Sequence, residues 1–261
     1  VSAAGPGAVP APALLSLQDT LYTSANPTRR WLHVSRREQI EAALRGAAAV
    51  RPLERALEVG PGSGIYLPVL AGLAAAVVAS DIEPAFLERA RELAASRSNI
   101  EVVLDDVVDS GLPSESFDLV LCSEVIEHIP EPGAALASMH RILRPAGRLV
   151  ISTPHRFSPL ELAGRVAFLP GVVDVVRRIY REPVLPTGHI SLMSGREMRR
   201  RLRTAGFVIE RSWATGVYLP LVAELSGQAG LRLEQWVERR LADGPLAELL
   251  WTQYHVAVRA P

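Results

Sequence analysis

Leu57-Glu58-Val59-Gly60-Pro61-Gly62-Ser63-Gly64 is the stretch that decides the fold. An apolar run near 56–59 enters it and a helical pattern near 65–73 leaves it. Three glycines at alternate positions let the backbone turn sharply and come close to a ligand, an approach that a Cβ would block. A dinucleotide loop would read Gly-x-Gly-x-x-Gly after its strand. Here Gly64 comes one place too early for that pattern. Glu58, two places ahead of the first glycine, points to a cationic amino group rather than a pyrophosphate. An ordinary tight βα turn would show the same glycines, so the loop takes its meaning from the motifs downstream of it.

Working outward, short apolar strands alternate with helices from Arg55 on. Strands are expected near 56–59, 76–80, 101–104, 119–122 and 148–152, and helices near 65–73, 84–96 and 133–143. Pro84 suits a first helical turn. Continuous apolar strands in this alternation predict an α/β fold whose mostly parallel sheet is covered by helices on both faces. Upstream, residues 1–13 are rich in Ala, Gly and Pro and read as a disordered tail. Residues 14–50 carry helical patterning as an N-terminal helical cap, broken at Asn26-Pro27, with Ser35 as an N-cap for the helix through Leu44. Residues 51–261 form the α/β domain, and an apolar, proline-punctuated lid insert at 154–190 lies on its acceptor side. A helix then runs from Ser194 to Gly206, and late strands near 207–212 and 253–258 flank an amphipathic stretch over 219–241.

A chain of 261 residues buries a sizeable core without disulfides. The single Cys122 falls inside an apolar strand, which excludes a disulfide framework and a cysteine zinc site. The 28 basic residues are all Arg and balance 28 acidic ones. Zero net charge argues against a general affinity for nucleic acid or for an anionic membrane. Arg-only, Ala-rich usage points to a GC-rich bacterial genome. No apolar run reaches membrane-spanning length, and the opening residues lack the basic-then-apolar order of a signal peptide. A reducing cytoplasm is therefore the expected compartment.

Four more motifs follow the loop in order: Ala79-Ser80-Asp81-Ile82; Leu104-Asp105-Asp106; Phe117-Asp118-Leu119-Val120 running into Ser123-Glu124-Val125-Ile126-Glu127-His128; and Leu143-Arg144-Pro145-Ala146-Gly147-Arg148-Leu149. With the glycine loop, this series resembles the class I S-adenosylmethionine-dependent methyltransferases. It is most similar to the branch holding ubiquinone- and menaquinone-type and many secondary-metabolite enzymes. The resemblance implies a Rossmann-like sheet, S-adenosyl-L-methionine as cofactor and S-adenosyl-L-homocysteine as product. It places Glu58, Gly60, Gly62 and Gly64 at the methionine end and Asp81 on the ribose hydroxyls. Ile82 lies on the adenine, Asp106 and the Val107 N–H meet the adenine edge, and Ser123 sits beside the methyl group. Asp81 also reads as a cap for the helix before Pro84, and one carboxylate can serve both purposes. Asp105 departs from the family by standing where a glycine is common, and it reads as a solvated loop acid. Asp118 reads as structural.

Methyl transfer needs positioning and water exclusion, with a base where the acceptor is a hydroxyl. His128 is the first candidate base, since imidazole titrates in the useful range. Its alternative role, with Glu127, is to cap a turn and hold the sheet edge. His189 is placed to close the lid, and Tyr22 to close the methyl pocket unless it is a core aromatic of the cap. His155 is a further acceptor-side residue or a loop hydrogen-bonder. Glu124 or Glu127 could hold a divalent ion, as in some quinone-pathway relatives, but the sequence shows no second ligand set, so no metal is expected. Trp31, His33, Phe157, Phe168, Tyr180, Met193, Trp213 and Tyr218 are candidates to line an apolar acceptor pocket or to sit in the core. Arg196, Arg199, Arg200 and Arg203, with Arg177, Arg178 and Arg181, read as solvated helix faces.

The expected activity is methylation of a small aromatic or apolar metabolite at O, C or N, in bacterial specialised-metabolite or quinone biosynthesis. The expected partner is that small-molecule acceptor, with no nucleic acid and no membrane, in a homodimer. An RNA or protein methyltransferase is the alternative enzyme, opposed by the zero charge and by the lack of an Asn/Asp-Pro-Pro-Tyr signature after the fourth strand. A non-catalytic S-adenosylmethionine-binding regulator is the other alternative, and a nicotinamide oxidoreductase is disfavoured by the glycine spacing.

Overall fold

The computed structural model describes residues 11–167, 188–220 and 222–260. Its seven strands are β1 (Leu53–Val59), β2 (Ala74–Asp81), β3 (Ile100–Leu104), β4 (Phe117–Ser123), β5 (Leu143–Pro154), β6 (Phe207–Thr215) and β7 (Thr252–Arg259). They form one sheet in the order β3-β2-β1-β4-β5-β7-β6. The first five are parallel, and β7 runs antiparallel to both β5 and β6. This is the Rossmann-like class I methyltransferase sheet that the motif order implied.

The sheet is buried on both sides because its central strands are apolar at consecutive positions. β4 is covered from Phe117 to Cys122, and the free Cys122 lies among these apolar neighbours. Leu119 and Leu121 face one layer with Ile40, Leu67, Leu70 and Ala90. Those residues come from α2 (Pro27–Val50), α3 (Leu67–Leu73) and α4 (Pro84–Ala94). Phe117, Val120 and Cys122 face the other layer with Leu136, Met139, Met198 and Leu202. These come from α5 (Pro132–Ile142) and from the helix Gly195–Thr204. Each fully buried Leu, Ile or Phe contributes about 1.5–3 kcal/mol, so the two layers hold the strand ends rigidly.

The helical cap begins differently from the sequence expectation. Helix α1 (Ala11–Leu21) already includes residues 11–13, which the composition read as tail; residues 1–10 lie outside the described set. Ser35 lies inside α2 rather than at a helix start. Asn26 is the N-cap, its side chain accepting from the Thr28 and Arg29 N–H groups at 3.0 and 3.1 Å. Asn26-Pro27 is thus both the break and the start signal, with Pro27 in the first turn, where a missing N–H costs nothing. The lid insert opens with α6 (Pro159–Ala167) and returns at Gly188; residues 168–187, including Phe168, Arg177, Arg178, Tyr180 and Arg181, lie outside the described residues. The stretch over 219–241 resolves into a short helix, Val222–Leu225, and a longer one, Gly227–Leu241. Among the described residues, no helix is long and apolar enough to cross a membrane.

The strand order reverses between β1 and β4: β2 and β3 extend the sheet one way, β4 and β5 the other. A crevice opens at such a switch point, outside the carboxyl ends of the strands. The candidate residues end these strands.

Candidate active site

Glu58 lies in the middle of the sheet, in register with Ala79 of β2 and Leu121 of β4. It is 2% exposed, and one of its carboxylate oxygens has no hydrogen-bond partner. Burial pushes its pKa up to about 8. An orphaned acceptor at this depth costs stability unless a ligand donates to it. Its chemistry fits the ammonium group of an amino acid.

The glycine loop follows at once, with φ of +66° at Gly60, +52° at Gly62 and +74° at Gly64. At Gly60 a Cβ would stand 2.5 Å from Val125 Cγ2. This contact places the loop directly against the chain leaving β4. The Gly60 N–H donates to Ser80 O at 2.8 Å, which ties the loop to the end of β2. From the cap, Gln18 of α1 reaches the loop and accepts from the Ser63 N–H at 2.9 Å.

Asp81 ends β2 and is half-buried, and one oxygen accepts from the Glu83 N–H at 2.8 Å. Desolvation raises its pKa to about 6 against these turn hydrogen bonds. The carboxylate thus braces the turn into α4, but the N-cap residue is Glu83 and no side chain caps this helix, so the capping role read from the sequence does not hold. Ile82 beside it is 57% exposed, an apolar side chain open for a flat apolar group. After β3, Asp106 accepts from the Val108 N–H at 2.9 Å, and Val107 is buried under the turn. Asp105 is a loop brace, accepting from the Gly111 N–H at 2.8 Å.

Ser123 ends β4. Its hydroxyl lies 3.1 Å from that of Ser152, which donates to Glu124 Oε1 at 2.9 Å. Ser152 has one proton and gives it to Glu124, so Ser123 donates to Ser152. Glu124 has φ +56°, a left-handed conformation unfavourable for a side chain with a Cβ. This conformation accompanies an ion pair of 2.6 Å with the partly buried Arg36. Arg36 also lies 2.9 Å from His33 Nδ1 and 5.0 Å over the Trp251 ring. Tyr22 stands edge-on to His33 with centroids 6.2 Å apart, and burial raises its phenol pKa. Tyr22 thus joins a buried aromatic and guanidinium cluster beneath the end of β4.

The second cluster follows a turn later. Glu127 is fully buried, with one oxygen accepting from Thr153 Oγ1 at 3.0 Å and the other without a partner. Desolvation, then the nearby Glu124 charge, hold its carboxyl well above the usual range. The Glu127 carbonyl receives the N–H groups of Ile190 and Ser191 at 3.0 and 2.9 Å, which pins the returning end of the insert here. His128 and His189 consequently face each other with ring centroids 5.1 Å apart. Ligand atoms of Glu127, His128 and His189 all lie within 4.8 Å of one another. One carboxylate and two imidazoles at this spacing suit a divalent metal ion. The structure thereby brings two imidazoles to the Glu127 carboxylate, a grouping that the sequence alone did not show. His128 is exposed to solvent, yet desolvation by the atoms around its ring and the neighbouring His189 lower its pKa to about 4.

His155 is apart from these groups. It is buried and accepts from the Gly195 N–H at 3.0 Å, bracing the start of a helix. Trp213 stacks on Tyr254 at 5.1 Å in the core, and Met193 is fully packed. Arg196, Arg200 and Arg203 are exposed, as a solvated helix face requires, and Arg199 is half-buried. Sequence reasoning missed Arg36, Glu161 and Trp251. For Arg36 a signal existed, because His33 and Arg36 lie one turn apart on the same helix face. For the other two there was none.

A family model described as a methyltransferase domain matches residues 57–151, from within β1 to within β5. The ubiquinone biosynthesis O-methyltransferase of Xanthomonas axonopodis pv. citri (strain 306) is 32% identical over 185 residues, covering 69% of this chain and 71% of its own. The N-methyltransferase NodS of Bradyrhizobium japonicum WM9, crystallised with S-adenosyl-L-homocysteine, has a TM-score of 0.59 at 17% identity, over 96% of this chain and 97% of its own. The [4+2]-cyclase SpnF has a TM-score of 0.57 at 18% identity, over 85% of this chain and 80% of its own. At such identities the structural likeness establishes the fold, and a fold carries more than one chemistry.

Proposed function

The chain belongs to the S-adenosylmethionine-dependent methyltransferase family, with S-adenosylmethionine as its cofactor, and we propose that it methylates a hydroxyl group of a small aromatic acceptor. The cofactor supplies a methyl group activated on a cationic sulfur. Glu58 takes the ammonium of its methionine end, and the glycine loop allows the close approach. Asp81 accepts from the ribose hydroxyls, Ile82 covers the adenine, and Asp106 with the Val107 N–H meets the adenine edge. Ser123 stands at the methyl-bearing end. Tyr22 and the cap helices exclude water on one side.

The observation that carries the hydroxyl reading is the meeting of Glu127, His128 and His189 just beyond β4. A phenol titrates near 10. Desolvation and the neighbouring His189 lower the pKa of His128, which weakens it as a general base. His189, whose Nδ1 pairs with Glu161 Oε2 at 3.0 Å, is the proposed proton acceptor, with His128 beside it. A second reading is favoured by the same three groups: they hold a divalent cation, which would lower the pKa of a hydroxyl bound to it. The name of the Xanthomonas relative supports O-methylation under either reading.

The test is S-adenosylmethionine consumption with phenols, catechols, amines and RNA, with product masses, before and after chelation and with Mg²⁺ or Mn²⁺ restored. A methylated phenol or catechol is the expected product. Loss of activity on chelation selects the cation reading, and insensitivity selects His189 as base. Product only from amines or RNA would overturn the proposal.

A further inference from the structure

We infer that Glu161 is the positioning residue of this site, fixing the tautomer and direction of His189. Glu161 lies in the first turn of α6, where the lid insert begins, and is 9% exposed. Its Oε2 is 3.0 Å from His189 Nδ1, and its Oε1 receives the Trp251 indole N–H at 3.4 Å. The indole N–H can only donate, so Oε1 accepts from Trp251. With Oε2 accepting in the same way, the shared proton of the His189 pair is assigned to Nδ1. The one lone pair left on the ring is then at Nε2, the nitrogen that does not pair with Glu161.

Histidine ligands and bases are commonly oriented in this way, through the ring nitrogen that does not react. Here the orienting group is on a different arm of the chain. Glu161 sits at the outgoing end of the insert and His189 at the returning end, while Trp251 leads into β7. Seating α6 on Trp251 thus sets the His189 ring, so acceptor-side chemistry depends on how the insert docks. This rests on the reading that His189 faces the acceptor, but the tautomer itself does not.

The experiment is long-range ¹H–¹⁵N correlation on histidine-labelled, chelator-treated protein saturated with S-adenosyl-L-homocysteine, with His189→Gln used for assignment. The wild type is expected to show His189 protonated at Nδ1 and bare at Nε2. In Glu161→Gln one amide oxygen must serve two donors, so the tautomer should become mixed. Turnover should fall about 10–100-fold, while cofactor affinity stays within about twofold, because Glu161 is not placed against the cofactor. An Nε2–H tautomer in the wild type, or an unchanged tautomer in Glu161→Gln, would overturn the inference. If Glu161→Gln fails to fold, the wild-type spectrum decides alone. If wild-type protein methylates no hydroxyl, the function proposal fails and the tautomer result still stands or falls by itself.

Discussion

Glu58 predicts a proton balance that reverses sign with pH when the cofactor binds. Its carboxyl is 2% exposed, has an unpartnered oxygen and titrates at about 8 because of burial. The α-amino group it is proposed to hold titrates at about 7.8. In the complex, an ionised carboxylate and an ammonium share one proton. The free pair carries nearly two at pH 7 and almost none at pH 9. Binding should release about 0.8 proton at pH 7, take up about 0.8 at pH 9, and cross zero at about pH 7.9. The matched ionisation states make up about 0.01 of the free pairs at pH 6 and about 0.2 at pH 8, so affinity should be about 20-fold weaker at pH 6. Titration calorimetry in two buffers of different ionisation enthalpy reads both quantities. Glu58→Gln should abolish the release at pH 7 along with the acid limb of the affinity curve. A balance that keeps one sign from pH 6 to 9, or a Gln variant with the wild-type profile, would refute the assignment. The linkage also has a sign for the cofactor-free protein. Because the folded pKa is raised from 4.5, the contribution to stability is full below about pH 4.5 and is lost as pH rises through 8. By pH 7 the loss is about 3 kcal/mol, and Glu58→Gln should flatten that decline in denaturant melts.

Asp81→Ala removes the charged acceptor proposed for the ribose and should weaken cofactor binding at least about tenfold, by the loss of about 1.5–3 kcal/mol; a change below about threefold in equilibrium binding would remove that assignment. Gly60→Ala places a Cβ 2.5 Å from Val125 Cγ2 on a backbone at φ +66° and should cost about 1–3 kcal/mol in urea unfolding, whereas an unchanged midpoint would mean that the loop relaxes freely. Arg36→Met leaves Glu124 buried without its counter-charge and should destabilise by about 3–5 kcal/mol; the double variant with Glu124→Gln should recover much of this, and no recovery would show that the loss comes from packing instead.

The strand-end placement of the proposed cofactor residues was legible because local backbone geometry enforces it. Glu58, Asp81, Asp106 and Ser123 each end, or closely follow the end of, a strand that the apolar pattern already marks, so parallel pairing brings them to one edge. Nothing about their placement depends on how a distant helix packs. Ser35 and Asn26 show the limit even at short range. A serine inside a helix and a serine capping one look alike until the Asn26 side chain is seen closing the first turn. The acceptor half has no such local code. Arg36 meets Glu124 across 88 positions, and Glu161 meets Trp251 across 90, through the packing of a cap helix and an insert against β4 and β7. The spacing of His33 and Arg36 marks a shared helix face but not Glu124 as the partner, and Glu161 carries no such spacing, although Glu127 and His128 themselves stand in a readable motif. The division has a chemical consequence. Elements that share a sheet edge hold a common cofactor in a common way, while the cap and the insert approach from outside and can change independently of it. In the described residues, the groups that would bind or deprotonate an acceptor all depend on that outside approach: Glu127 pins the returning insert, Glu161 seats its first helix, and Arg36 anchors the cap. If the acceptor meets these groups as proposed, substitutions at Glu161 or Trp251 should alter acceptor turnover without moving cofactor affinity.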